Sequence, residues 1–154
     1  MKFISTSNLS RSQKEQIYHL WNAEYPQDIS YHTLIDFDRY LNSLVEKSHV
    51  LLLDEIGQIV GWYVDFIREN EKWFAMVLDV NFQGNGWGRE FLKLAKEKEN
   101  NLNAWVIDHD KGIKLNGKPY KSPVDFYLNN GFHFMSGTRL ELHNISAVKM
   151  NWSK

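Results

Sequence analysis

The chain has 154 residues, 43% of them hydrophobic and 14% aromatic, which suits one domain with a sizeable core and is too apolar for disorder. A formal net charge of −1, from 18 basic and 19 acidic residues, argues against nucleic acid as a main partner. The absence of cysteine excludes disulfides, thiolate metal sites and a cysteine nucleophile.

The stretch Met1–Ser7 lacks the long apolar core of a secretion signal, and no run approaches the roughly 18 apolar residues that span a bilayer. A soluble, cytoplasmic protein with no membrane partner is expected. Lys2–Thr6 predicts a short first strand. Asn8 or Ser10 offers an N-cap for a helix over Leu9–Glu24, with Ile17, Leu20 and Trp21 at helical spacing, broken at Tyr25-Pro26. A second helix is predicted over Ser30–Lys47, with Leu34, Phe37, Leu41 and Leu44 on one face.

The periodicity then changes. Val50–Leu53, the turn Asp54–Gly57 and the β-rich run Ile59–Phe66 predict an antiparallel hairpin, and Trp73–Val80 adds a third apolar strand after the charged turn Arg68–Lys72. A glycine-rich turn precedes a helix predicted over Gly86–Asn100. A short strand follows over Ala104–Ile107, and then a long polar loop, Asp108–Lys121, with an Asn116-Gly117 turn. Ser122 as N-cap, Pro123 at the first helical position and Gly131 at the end mark a short helix. Strands are predicted over Phe132–Met135, Thr138–His143 and Ala147–Trp152. With Phe132–Met135 and Thr138–His143 counted together, the order β-α-α-β-β-β-α-β-α-β-β gives one mixed α/β domain over residues 1–154.

The strongest chemical signal is the run from Leu78 to Gly88, between a strand and an amphipathic helix. Three glycines in five residues, Gly84, Gly86 and Gly88, let the backbone turn sharply and approach a ligand without Cβ clashes. The open N–H groups and dipole of the helix start make an anion site suited to a pyrophosphate, although a plain strand-to-helix turn uses the same residues. The dinucleotide fingerprint needs Gly-x-Gly-x-x-Gly, whereas the spacing here is Gly84-x-Gly86-x-Gly88. The P-loop needs Gly-Lys-Ser/Thr, whereas Gly88 is followed by Arg89-Glu90.

The spacing Gln83-x-x-Gly86-x-Gly88 resembles the Gln/Arg-x-x-Gly-x-Gly/Ala motif of the GNAT superfamily of N-acetyltransferases. Downstream, Tyr127, Gly131 and Phe132 are similar to that family's Tyr-x-x-x-Gly-Phe, and the element order agrees over almost the whole chain. The resemblance implies a GNAT-like fold, acetyl-CoA as cosubstrate, no metal, and direct attack of an amine on the thioester. It implies that the strands ending near Val80 and Ile107 are parallel neighbours that splay apart around the pantetheine arm. Backbone groups of Leu78 and Val80 would bond that arm. The loop Gln83, Gly84, Asn85, Gly86, Trp87 and Gly88 would take the pyrophosphate.

Tyr127 is implied as the acid at the leaving sulfur, although Val124, Tyr127 and Leu128 also share an apolar helix face, so a core tyrosine is the competing reading. Asp79, Asp108 and His109 are candidate bases, each more readily read as a surface or capping group. The glutamate that some relatives carry early in the fourth strand falls near Glu71-Lys72, and water can serve instead. Ser122 stands in for an asparagine that many relatives have before the tyrosine helix. The long loop and the aromatics Trp21, Tyr25, Tyr31, Phe37 and Tyr40 are candidates for the acceptor pocket, although such an aromatic stripe is more often core.

The six histidines, at 19, 32, 49, 109, 133 and 143, are too scattered for a metal pair. The expected activity is acetyl transfer to a primary amine of a small molecule or peptide. The alternative is a non-catalytic acyl-CoA-binding sensor. The acceptor is not encoded in any motif, and the C-terminal strands leave a homodimer open.

Overall fold

Seven strands assemble into one mixed sheet in the computed structural model, which describes residues 1–154, in the order β1-β2-β3-β4-β5-β7-β6. Along the chain run β1 (Lys2–Thr6), α1 (Arg11–Glu24), α2 (Leu34–Ser43), β2 (Val45–Leu53), β3 (Ile59–Arg68), β4 (Glu71–Leu78), α3 (Trp87–Lys98), β5 (Asn101–Val106), α4 (Val124–Asn129), β6 (His133–Leu142) and β7 (Ile145–Ser153). Helices α1 and α2 cover one face, burying Ile17, Trp21, Phe37 and Leu41 against Leu51, Trp62, Val64 and Val77. Helices α3 and α4 cover the other, burying Phe91, Leu92, Ala95 and Tyr127 against Tyr63, Phe74, Ala104 and Met150. Each large apolar side chain fully buried this way contributes roughly 1.5–3 kcal/mol.

Local chemistry explains most boundaries. Ser10 closes a capping box with Gln13 at the start of α1. The β2–β3 turn is tied by Gly57 N–H to the Asp54 carbonyl at 3.1 Å. Glu69 and Asn70, both at positive φ, make the tight β3–β4 turn.

The second helix is shorter than its apolar stripe predicts. Thr33 accepts the Asp36 N–H and caps it, Gln27–Ile29 form a separate 3-10 turn, and the chain is already extended at Leu44. Val45 then pairs with Ile67, so β2 begins five residues before the predicted apolar run, with a bulge between Val45 and Ser48. Strand β4 ends at Leu78 rather than Val80, because Val80–Phe82 turn into a 3-10 helix capped by Asp79. The two strands predicted over Phe132–Met135 and Thr138–His143 are one, β6, with a register shift between Phe134 and Arg139. Pro123, not Ser122, occupies the cap position of α4, whose first helical residue is Val124.

Strands β4 and β5 are parallel but keep a single register contact, Trp73 with Asn103. Asn103 is fully buried; its amide donates to the Lys72 carbonyl at 3.1 Å, and its oxygen accepts from Asn151 of β7 at 2.8 Å. This polar stitch pins the closed end. Beyond it the two strands diverge and open a cleft.

Candidate active site

The cleft between β4 and β5 has a volume of about 1020 Å³ and is lined mainly by apolar and aromatic side chains. One end is built by the glycine loop and α3. Gly84 and Gly86 adopt left-handed φ of +80° and +89°, where a side chain is strained. Gly88 lies so close to α4 that a Cβ would meet the Phe126 ring at 3.0 Å. The first bond inside α3 is Glu90 N–H to the Gly86 carbonyl at 3.1 Å, so the amides of Trp87, Gly88 and Arg89 are open to a ligand. The dipole of a twelve-residue helix adds positive potential there.

The free edge of β4 forms the floor. Asp79 N–H is paired back to Val60 of β3, and the two-residue alternation of a strand therefore turns the backbone groups of Leu78 and Met76 toward the cleft. Their carbonyls are already used. Gln83 Nε2 donates to the Leu78 carbonyl at 2.7 Å, and the Tyr25 hydroxyl donates to that of Met76 at 2.9 Å. The Val80 N–H donates to Glu24 at 2.9 Å, so Val80, which the sequence nominated alongside Leu78, has its amide engaged.

Tyr127 lines the cleft with its ring packed edge-on against Phe126 and Phe132. Burial, reinforced by Tyr120, pushes its phenol above the ordinary tyrosine value, so the hydroxyl stays protonated as a donor. Core packing and cleft exposure thus coexist in this residue. Ser122 also lines the cleft; its hydroxyl donates to the Ile107 carbonyl at 2.6 Å and ties the approach to α4 to the residue that follows β5. Asn85 is exposed in the loop, and the Trp87 ring packs on Phe3.

The three nominated bases do not open onto the cleft. Asp79 accepts the Asn81 N–H at 2.8 Å as a cap. Asp108 is held by both terminal nitrogens of Arg139 at 2.8 and 3.1 Å, which keeps its carboxyl below the usual range. The His109 Nδ1 accepts the Lys111 N–H at 3.1 Å. Glu71 is likewise engaged, by Lys149 at 2.9 Å.

The other end of the cleft is aromatic. Trp21, Tyr25, Tyr31 and Tyr40 line it, whereas Phe37 is wholly core. Burial drives the Tyr25 and Tyr31 hydroxyls well above their ordinary range, and that of Tyr40 up to about 12 against the lowering influence of Arg68.

Glu24 is the acidic residue here that sequence reasoning missed. It is 8% exposed and its other oxygen accepts from Lys114 of the long loop at 2.9 Å. A signal existed, since Glu24 stands three residues after Trp21 and seven after Ile17, on the buried stripe of α1. Lys114 offered none. The loop that carries it closes over the end of α1, with Tyr120 stacked on Tyr25.

No group of three or more His, Asp or Glu residues is arranged to hold a metal ion, and no helix is long and apolar enough to cross a membrane.

A strand pair splayed beside a glycine-rich helix start defines an acyl-CoA-type transferase fold. The family model described as "Acetyltransferase (GNAT) domain" matches residues 25–154. The chain belongs to the GNAT acetyltransferase family and is an N-acetyltransferase. No curated protein matches it by sequence. Among solved structures it is similar to an aminoglycoside 6'-N-acetyltransferase complexed with coenzyme A, at 12% identity and TM-score 0.71, covering 99% of this chain and 97% of that one. A phosphinothricin acetyltransferase from Sinorhizobium meliloti in complex with AcCoA gives 12% and 0.68, covering 99% and 89%. A mutant spermidine N-acetyltransferase from Vibrio cholerae gives 14% and 0.66, covering 99% and 95%. At these identities the likeness concerns the fold.

Proposed function

We propose that the enzyme acts as one domain in which acetyl-CoA and a small primary amine meet in the β4–β5 cleft. The observation that carries this reading is that one cleft holds two sets of open backbone N–H groups, on the β4 edge at Met76 and Leu78 and at the start of α3 at Trp87–Arg89. An extended arm hydrogen-bonds such an edge as an added strand would, and a pyrophosphate suits the helix start. Gln83 shapes the loop through its bond to Leu78.

Acetyl-CoA supplies the acetyl thioester; the N–C bond forms as the C–S bond breaks, and the electron pair leaves with sulfur. Tyr127 donates a hydrogen bond toward that sulfur. Its raised pKa makes it a polariser of the leaving group rather than a strong acid. Glu24 is engaged by Lys114 and Val80, so the proton lost by the attacking amine passes to water. The amine enters past Tyr25, Tyr31 and Tyr40.

The exposed edge strand β6, with Phe134 at 49% and Leu142 at 58% exposure, supports pairing with a second copy of the chain. Sedimentation at micromolar concentration checks this, and a monomer rejects it. A cytoplasmic setting belongs to the proposal and rests on the cysteine-free composition.

Thermal unfolding with acetyl-CoA, CoA, ATP and NAD at matched concentrations tests the coenzyme site. A ligand at 100 times its Kd adds about 2.7 kcal/mol. Acetyl-CoA and CoA alone are expected to raise the Tm. A larger shift with ATP, or none with acetyl-CoA, overturns the reading.

A further inference from the structure

The aromatic end of the cleft contains a cation with no partner, Arg68; Arg89 and Lys121, also unpaired, line the cleft near the starts of α3 and α4. Arg68 closes β3 on the face that carries Trp62, Val64 and Phe66 toward α1 and α2. Its guanidinium carbon stands 5.0 Å from the centre of the Phe66 ring and 5.2 Å from that of Trp73. Such stacking holds the planar fork in place and leaves its N–H edge directed elsewhere. Its cross-strand neighbour of opposite charge, Glu71, is taken by Lys149. No carboxylate lies within ion-pair distance of Arg68, and its side chain donates no hydrogen bond to the protein, although the side chain lines the cleft.

The charge balance of this end is therefore positive. Of the two carboxylates that line the cleft, Glu24 lies by Val80 near the glycine loop and is offset by Lys114. Asp125, the remaining acid on the cleft wall, is on α4 beside the coenzyme end. A polyamine or polycationic sugar would meet an unpaired guanidinium and no free carboxylate to bind its extra ammonium groups. Aromatic walls from Trp21, Tyr31, Tyr40, Trp73 and Trp105 suit a flat apolar body instead.

Resting on the coenzyme reading above, we infer that the acceptor is a small amine that also carries a carboxylate, an aromatic amino acid or a close analogue, with its carboxylate held by the Arg68 fork. A bidentate guanidinium–carboxylate pair fixes the orientation as well as the charge of the bound acid. The amine is then presented toward the Tyr127 end of the cleft.

The test compares L-tryptophan with tryptamine and L-phenylalanine with phenethylamine, with spermidine as a polycation, by thiol release from acetyl-CoA. Acids are expected to exceed their decarboxylated partners on the order of 10- to 100-fold in kcat/KM, mostly through KM. Arg68→Gln should erase that preference, and Arg68→Lys should restore part of it. Stabilisation by each acid or amine in the presence of CoA gives the same comparison without turnover. Equal use or equal binding of acid and amine, binding of neither, preference for spermidine, or an Arg68→Gln enzyme that still prefers acids overturns the inference. Loss of the acetyl-CoA shift in the unmodified enzyme would instead remove the coenzyme reading beneath it.

Discussion

Glu24 and Lys114 stand 90 residues apart in sequence and 2.9 Å apart in space. Their pair joins the last residue of α1 to the long loop before α4. The second Glu24 oxygen reaches onward to Val80, so one carboxylate fastens three segments around the cleft.

That arrangement is costly to break from one side. Lys114→Ala leaves a buried carboxylate with a single backbone donor, and a loss of about 3 kcal/mol is expected in urea unfolding. Glu24→Gln combined with Lys114→Met should recover most of it. A Lys114→Ala protein as stable as the parent would show the pair to be idle.

Tyr127→Phe removes a hydroxyl that bonds no protein group. Stability should change by less than about 1 kcal/mol. Turnover should fall on the order of 100-fold while acetyl-CoA affinity is retained. Unchanged turnover would assign the residue to the core alone and leave sulfur departure to water.

Glycine in the loop has two effects that a control separates. Gly86→Ala and Gly57→Ala both place a Cβ at a φ near +85 to +89°, each costing about 1–2 kcal/mol of stability. Only Gly86 is beside the proposed pyrophosphate, so only its variant should also lose acetyl-CoA affinity by titration calorimetry. Equal losses of affinity would mean the effect is global.

Acid lowers stability through a histidine that does not line the cleft. His49 is 1% exposed and accepts the Trp62 indole N–H on Nδ1 at 3.0 Å, and burial, then Lys47, pushes its pKa from 6.5 down to about 4. The unfolded chain takes up this proton below pH 6.5 and the folded one does not. The contribution is therefore intact above pH 6.5 and lost as pH falls toward 4, by about 3 kcal/mol in all. Asp65 acts in the opposite sense, since burial raises its carboxyl pKa and protonation on acidification relieves the fold. Subtracting a His49→Gln urea series from the parent series isolates the histidine, and parallel curves would refute its role.

Much of the candidate site was legible because its chemistry is local. The loop from Gln83 to Gly88, proposed for the pyrophosphate, is marked by glycine spacing and a helix start, and both are properties of adjacent residues. Tyr127, Gly131 and Phe132 are equally local, and the structure seats them in one helix end, where Phe132 N–H returns to the Tyr127 carbonyl at 3.0 Å. Asp79, Asp108 and His109 had the right chemistry for a base, but the residues that occupy them lie in a turn, on β6 and in a loop.

By itself the sequence determined the order of elements, the mixed α/β domain and the glycine turn at a helix start, since hydrophobic period, caps and glycine φ act within a few residues. Only the tertiary structure decided where α2 stops, because Val45 is claimed by Ile67 across the sheet rather than by its helical stripe. Only it decided that Glu24 is paired and Arg68 is not. The charge a ligand meets is a sum over residues distant in sequence, and packing alone brings them within reach of one another.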